Sequence, residues 1–184
     1  MIENVLLITG NEGKAAEYAT LLGIDVQAVK QDLIEIQSLD VTAVVERKVA
    51  DAYAKVHGPV LVDDTGLTVN AWNGLPGALV AWFLGSVGTQ GILDMAAGLA
   101  DRAATVTAAL GYADANGIRV VTGTLQGTLA TERRGTGGFG YDEIFIPAGG
   151  DLTFAEMSSE QKNLVSHRRL AVDALRAELG LSGA

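Results

Sequence analysis

Residues 59–67, PVLVDDTGL, constrain the fold more than any other stretch. The apolar run Val60–Val62 reads as a strand buried on both faces, as in a largely parallel sheet. It is expected to stop at two adjacent carboxylates, Asp63 and Asp64, followed by Thr65 and Gly66. In open α/β sheets the ligand crevice lies beyond the carboxyl ends of the strands, so acids there are placed to hold a hard cation and polarise a water. A strand ending in a polar turn uses the same residue types. The rest of the chain has to separate the two readings.

The 184 residues suffice for one bilobed domain with a sizeable core. Apolar residues at 48% and charged residues at 19% exclude a disordered chain. No apolar run approaches the ~20 residues of a membrane helix, so no membrane partner is expected. The opening MIENVLLITG lacks a basic n-region and a small-residue cleavage site; it reads as a first strand, and a cytoplasmic location is expected. With no cysteine, any metal is expected to be held by oxygen or histidine, and with only His57 and His167 a multi-histidine zinc site is not expected. A net charge of −9 argues against a nucleic-acid partner but leaves room for a small anion in a locally basic pocket.

Residues 4–9 read as a strand, followed by GNEG and by KAAEYATLL, a helix ended by Gly23. A loop opening into a helix offers free N–H groups to an anion, with Lys14 beside them. The spacing is not that of a Walker A loop, and a glycine turn with a solvated lysine satisfies the same pattern. Residues 24–29 alternate as a second strand, and Glu35 follows between two isoleucines, at an exposed edge or as a metal ligand.

Residues 42–56 have helical spacing, with Val41, Val44, Val45, Val49, Ala52 and Val56 on the apolar face. Lys48 falls within that stripe, where it must snorkel or meet an anion. Glu46, Arg47, Asp51 and Lys55 are expected on the opposite side. ALVAWFL and residues 89–99 read as short helices, with Trp72, Trp82 and Phe83 expected in the core. Residues 103–113 and 118–129 predict a long antiparallel ribbon turning at Asn116-Gly117, hence a mixed sheet.

The glycine-rich loop before Phe139, Gly140, Tyr141 and Asp142 could bring an aromatic face and a carboxylate to a purine, or could simply turn into a strand at 144–146. Residues 158–179 read as one amphipathic helix, capped by Ser158 and Gln161. Leu164, Val165, Ala171, Val172, Leu175 and Leu179 are expected on its buried stripe. Lys162, Ser166, His167 and Arg168 form a polar cluster at one end, ordinarily a solvated one.

TGNEGK, VDDTGL with LPG nearby, GFGYD and EQKNLVSHR, in this order and spacing, resemble the inosine triphosphate pyrophosphatase family from residue 5 to about 172. The resemblance implies an α/β fold: an elongated mixed sheet flanked by helices, two lobes around a cleft, and a homodimer. It implies Mg²⁺-dependent hydrolysis, with Mn²⁺ as the alternative, of non-canonical purine nucleoside triphosphates to monophosphate and pyrophosphate. By the same resemblance Thr9, Gly10, Asn11, Glu12, Gly13 and Lys14 form the triphosphate loop, and Lys48 contacts phosphate. Glu35 and Asp64 hold the metal, Asp64 is the proton acceptor, and Thr65 touches substrate. Phe139 to Asp142 bind the base, and Lys162, Ser166, His167 and Arg168 close over it.

The chain departs from the family pattern in DDTG for EDSG, in Glu143 for a proline, and in Ala81 where some members place a lysine. Two competing readings are a septum-inhibitor type of pyrophosphatase acting on modified pyrimidine nucleotides and a non-catalytic nucleotide sensor. Retention of both Asp64 and Glu35 weighs against the sensor.

Overall fold

The structure is a computed structural model that describes residues 5–23 and 26–181. The expected strands at 4–9 and 24–29 begin at Asn4 and at Ile24-Asp25, which lie outside the described residues. Their remaining parts form β1 (Leu6–Ile8) and β2 (Gln27–Val29), paired in parallel. Helix α1 (Glu12–Leu22) connects them and ends at Gly23, whose φ of 66° puts it in the left-handed region that glycine tolerates.

The run Val60–Val62 opens β3 (Val60–Val69), parallel to β1 and antiparallel to β5 (Ala103–Asp114). Beyond β5 come β6 (Gly117–Leu129) and β7 (Phe145–Pro147), both antiparallel, and the two-residue β4 (Pro76–Gly77) pairs with the far end of β3. The order β2-β1-β3-β5-β6-β7 makes the sheet mixed, as the ribbon implied, and not largely parallel. The hairpin turns at Ala115-Asn116, one residue earlier than expected, because Asp114 pairs with Gly117 and its carboxylate takes the Asn116 N–H at 2.8 Å.

Helices cover both faces. Leu7, Leu61, Ala108 and Leu110 pack against α1 and against α5 (His167–Glu178). Val60, Val62, Ala109 and Ala113 pack on the other face against Val45, Val49 and Ala52 of α2 (Val41–Val56). Each such fully buried Val or Leu contributes about 1.5–3 kcal/mol relative to exposure, and the alanines less. The approach of α5 is close: a Cβ on Gly123 of β6 would lie 2.2 Å from backbone atoms of His167 and Ala171. A third cluster, at the opposite end of the long strands, joins Leu67, Val106 and Leu129 to α3 (Val80–Met95) and to Phe145 and Phe154. Helix α3 contains a break at Gly88, so the two expected short helices are its halves.

Three expectations fail on packing. Trp82 is 71% exposed, because the first turn of α3 points it away from the sheet while Phe83 packs inward. Asp51 and Lys55 do not oppose Lys48 on α2; at i+3 and i+7 they flank it on the same side. The last helix is two: α4 (Ser159–Val165) and α5 are separated at Ser166, whose ψ of 154° breaks the helical path. The break re-aims the apolar stripe, leaving Leu164 69% exposed and Val165 exposed, while the polar cluster goes inside.

Candidate active site

The carboxylates do not end their strand; the neighbouring strand ends beside them. β1 pairs with β3 only as far as Ile8–Val62, and β4 joins the same edge only at Leu67. Between these, Asp63, Asp64, Thr65 and Gly66 keep their pairing with β5 but have an open edge on the other side. That gap is the floor of the cleft. The crevice rule therefore applies to β1, the strand that stops.

The loop above the gap is capped in the ordinary way. Asn11 is the N-cap of α1, its Oδ1 accepting the Lys14 N–H at 3.1 Å, and the Thr9 hydroxyl accepts the Asn11 N–H at 3.1 Å. Glu12 is exposed in the first turn of α1. Gly13 lies under the Phe139 ring, where a Cβ would come within 2.6 Å of a ring carbon, so the Gly10–Lys14 and Phe139–Asp142 loops touch. Lys14 reaches down to the gap, with Nζ 3.0 Å from Asp63 Oδ2 and 3.2 Å from Oδ1.

Alternation along β3 sends the two acids to opposite faces. Asp63 is buried on the α1 and α5 side, and its second cation is Arg168, with Nε at 3.7 Å. Burial pushes its pKa up, but Lys14 and Arg168 outweigh that and hold it below the usual carboxylate range. Asp64 lies on the α2 side. Burial raises its pKa, the nearby Lys48 and Lys14 only partly oppose this, and the Asp63 charge adds to it. Two adjacent carboxylates are thus driven apart in proton affinity, one fixed as an anion and one adjusted to take a proton.

Lys48 meets anions and does not snorkel to water: its Nζ is 2.8 Å from Glu35 Oε1 and 3.5 Å from the Asp63 carbonyl oxygen. Burial works against its charge, but Asp64 and Glu35 prevail and raise its pKa. Glu35 itself stands on an irregular stretch with a 65% exposed side chain.

The other wall comes from the base loop and the α4–α5 junction. Ser166 ends α4 and caps α5, its Oγ accepting the Arg169 N–H. Lys162, Ser166, His167 and Arg168 are all buried, against the expectation of a solvated cluster. Asp142 does not present its carboxylate freely; Oδ2 accepts the Phe139 N–H at 2.8 Å and sits 2.6 Å from Lys162 Nζ. The half-buried Phe139 ring has Lys162 Nζ 4.8 Å and Arg168 Cζ 5.4 Å from its centroid. Gly140, exposed with φ 65°, turns the chain so that Tyr141 goes inward, its hydroxyl 3.1 Å from His167 Nε2. Burial, with Arg168 next, drives the His167 pKa far down, so the ring is neutral; its Nδ1 is buried without a partner.

Sequence reasoning missed Glu17. Its carboxylate binds Lys162 at 2.7 Å and also the Arg168 guanidinium, tying α1 to both α4 and α5. The only signal for it is its place three residues after Lys14 on one helix, which a solvated glutamate shares. The doublet stands out in the sequence, but nothing local signals the pairing of Asp63 with Lys14 and Arg168.

Two adjoining cavities share Lys14, Glu35 and Lys48. One, of about 600 Å³, takes in Thr9, Gly10 and Asp63; the other, of about 310 Å³, takes in Asn11, Asp64, Thr65, Phe139 to Asp142, His167 and Arg168. Glu12, Gly13, Lys162 and Ser166 line neither. Around the cleft, four cations (Lys14, Lys48, Lys162, Arg168) face six carboxylates (Glu17, Asp32, Glu35, Asp63, Asp64, Asp142), a formal excess of two negative charges. A polyphosphate entering this site needs a cation with it. Among the described residues no group of three or more Asp, Glu or His could cage one. Glu35 and Asp64, completed by substrate oxygens and water, match the few-ligand oxygen sites that Mg²⁺ favours.

One prediction arises here. Lys48→Met keeps the packing of the stem and removes the charge; kcat/KM should fall by about 10²-fold, as for loss of one charge-stabilising donor, with the Tm held. Because Lys48 is the main cation restraining the Asp64 pKa, the acid limb of the rate profile should also move to higher pH. Unchanged kinetics and an unmoved limb would return Lys48 to a packing role.

Known proteins resemble this chain over nearly its whole length. A dITP/XTP pyrophosphatase of Thermococcus kodakarensis is 41% identical over 168 residues, 90% of this chain and 91% of that protein. An inosine triphosphate pyrophosphatase of Schizosaccharomyces pombe is 40% identical over 180 residues, 96% of this chain and 95% of that one. The solved structure of the Staphylococcus aureus Ham1 protein superposes with a TM-score of 0.83 at 28% identity, covering 96% and 97% of the two chains. The Ham1 family model matches residues 5–178, and with the relatives it shows that the chain belongs to the Ham1 family.

Proposed function

We propose that this cleft hydrolyses non-canonical purine nucleoside triphosphates, the inosine and xanthosine forms, between the α- and β-phosphates, releasing the monophosphate and pyrophosphate. The observation that carries the reading is the split pair on the open edge of β3: Asp63 locked between Lys14 and Arg168, Asp64 with its proton affinity raised beside Lys48. The names of the relatives support the substrate class.

In this mechanism the triphosphate lies over the N-terminus of α1, where the N–H groups of the Gly10–Lys14 loop and the positive end of the helix favour anions. Lys14 and Lys48 exchange a carboxylate partner for phosphate oxygens and stabilise the charge that grows at the leaving pyrophosphate. Asp64 accepts the proton of the attacking water, for which a raised carboxylate pKa is suited. Glu35 and Asp64 would hold Mg²⁺, or Mn²⁺; when bound, the cation supplies charge neutralisation and Lewis acidity toward the phosphates. Retention of both carboxylates in the cleft favours turnover over nucleotide sensing.

Base choice follows from donors. Arg168 has donors only, and the neutral His167 ring donates from one nitrogen, Nδ1 in the tautomer whose Nε2 accepts from the Tyr141 hydroxyl. A 6-keto purine offers an acceptor to these groups, whereas the 6-amino group of adenine offers another donor. Inosine and xanthosine triphosphates should therefore be hydrolysed about 10²-fold or more better than ATP. A panel of triphosphates, with pyrophosphate and orthophosphate assayed separately, tests this. Equal rates on ATP and inosine triphosphate would defeat the assignment, and orthophosphate as first product would move the cleavage to the γ-phosphorus.

The same reading takes the protein as a cytoplasmic homodimer acting on free nucleotides. Its acidic charge and the absence, among the described residues, of a helix long and apolar enough to cross a membrane agree with a free-nucleotide substrate. The exposed Leu39 and Trp82, with the half-buried Leu79 between them in one apolar hollow, support a second copy. Sedimentation as a monomer at micromolar concentration would remove the dimer.

A further inference from the structure

Glu35 lies on residues 30–40, eleven residues without helix or strand between β2 and α2. None of their side chains is fully buried, and Leu33 is the only apolar one that is even half-buried. Apolar packing therefore does little to fix this segment, and its backbone conformation has to be set by polar contacts. At the α2 end it is tied by the Ala78 N–H donating to the Leu39 carbonyl at 3.0 Å. In the middle it is gripped from one side of α2. Asp51 Oδ2 accepts the Ile34 N–H at 2.9 Å, and Lys55 Nζ donates to the Asp32 carbonyl at 2.7 Å. The two side chains are themselves paired at 2.8 Å.

An i,i+4 pair on a helix is ordinarily a modest stabiliser of that helix alone. Here both partners also bond backbone groups, one and three residues before Glu35. Lys48 also holds this segment, through the Glu35 carboxylate, but that contact is one a phosphate group would compete for. Asp51 and Lys55 line neither cavity of the cleft, so a ligand there does not compete directly for their side chains, although Asp32, whose carbonyl Lys55 holds, lines the larger one.

We propose that Asp51 and Lys55 are positioning residues that fix the 32–35 backbone on α2 and so hold Glu35 at the cleft after Lys48 has turned to substrate. The inference rests on the reading of Glu35 as a carboxylate toward a divalent cation. Such residues behind a ligand typically change metal affinity by about 10–100-fold when removed.

The test uses the full chain with Asp51→Ala, Asp51→Asn and Glu35→Gln. In the metal-free protein, Asp51→Ala should speed amide hydrogen exchange at residues 32–36 and leave the core strands protected. With inosine triphosphate, its half-saturating Mg²⁺ should rise by about 10-fold while kcat at saturating Mg²⁺ changes little. Asp51→Asn keeps an acceptor for the Ile34 N–H and should fall between wild type and Asp51→Ala in both readouts. Unchanged exchange at 32–36 in Asp51→Ala overturns the proposal. So does an unchanged Mg²⁺ midpoint there when Glu35→Gln raises it. If Glu35→Gln itself leaves the midpoint unchanged, the premise about Glu35 fails, and the proposal falls with it for that separate reason.

Discussion

Asp64→Asn is expected to fold normally and to turn over at least ~100-fold more slowly than wild type at saturating Mg²⁺, the order expected for loss of a general base. The loss should lie in kcat, since the asparagine keeps the size of the side chain and can keep accepting the Thr65 N–H, made at 2.9 Å in the wild type. Stability should hold or rise at pH 7. Folding raises the proton affinity of Asp64, so its charge opposes the folded state at pH values above both its unfolded and folded pKa. For the same reason the Asp64 carboxyl in the metal-free protein should titrate above the ordinary carboxylate range, and a bound divalent cation should bring it down. Near wild-type turnover of Asp64→Asn would remove this residue from the chemistry.

The neighbouring substitution should do the opposite. Asp63→Asn takes the counter-charge from Lys14 and Arg168, the latter among the most deeply buried side chains in the protein. Breaking a buried ion pair from one side costs about 3–5 kcal/mol, because the remaining cations stay desolvated. For a chain of this size that is a fall in Tm of about 10 °C. The effect should depend on pH in a defined sense: the Asp63 pKa is lowered by folding, so its stabilisation is present above the unfolded value and lost as pH falls through the folded one. The Tm difference between wild type and Asp63→Asn should therefore be full near neutrality and shrink in acid. Equal melting temperatures at pH 7 would mean that the Asp63 charge contributes nothing net, with Glu17 alone sufficient for Arg168. The expected pair of results, lost turnover for Asp64→Asn and lost stability for Asp63→Asn, would show two adjacent residues of one strand dividing catalysis and stability between them, a division that their opposite faces impose.

What the sequence by itself determined was whatever depends on local pattern. The apolar run before DDTG, the 3.6-residue spacing of Val41 to Val56, the Thr- and Val-rich ribbon and the Ser158–Gln161 capping box each carry their structure in neighbouring residues, and each formed. The order of four motifs was legible for the same reason, and Lys48 stood out because its position contradicted its chemistry. Tertiary structure alone decided which charges meet. That β3 continues past its acids depends on β5, a partner some forty residues on, and that the acids are accessible depends on where β1 stops. Glu17 meets Lys162 and Arg168 across about 150 residues of chain. The C-terminal helix illustrates the difference most clearly. Its periodicity predicts one continuous helix with Leu164 and Val165 inside and the charges outside; the folded chain breaks it at Ser166 and reverses that choice. Burying Lys162 and Arg168 is tolerable only because Glu17, Asp63 and Asp142 arrive from three other elements to neutralise them, and no periodicity within one helix encodes the arrival of a distant carboxylate.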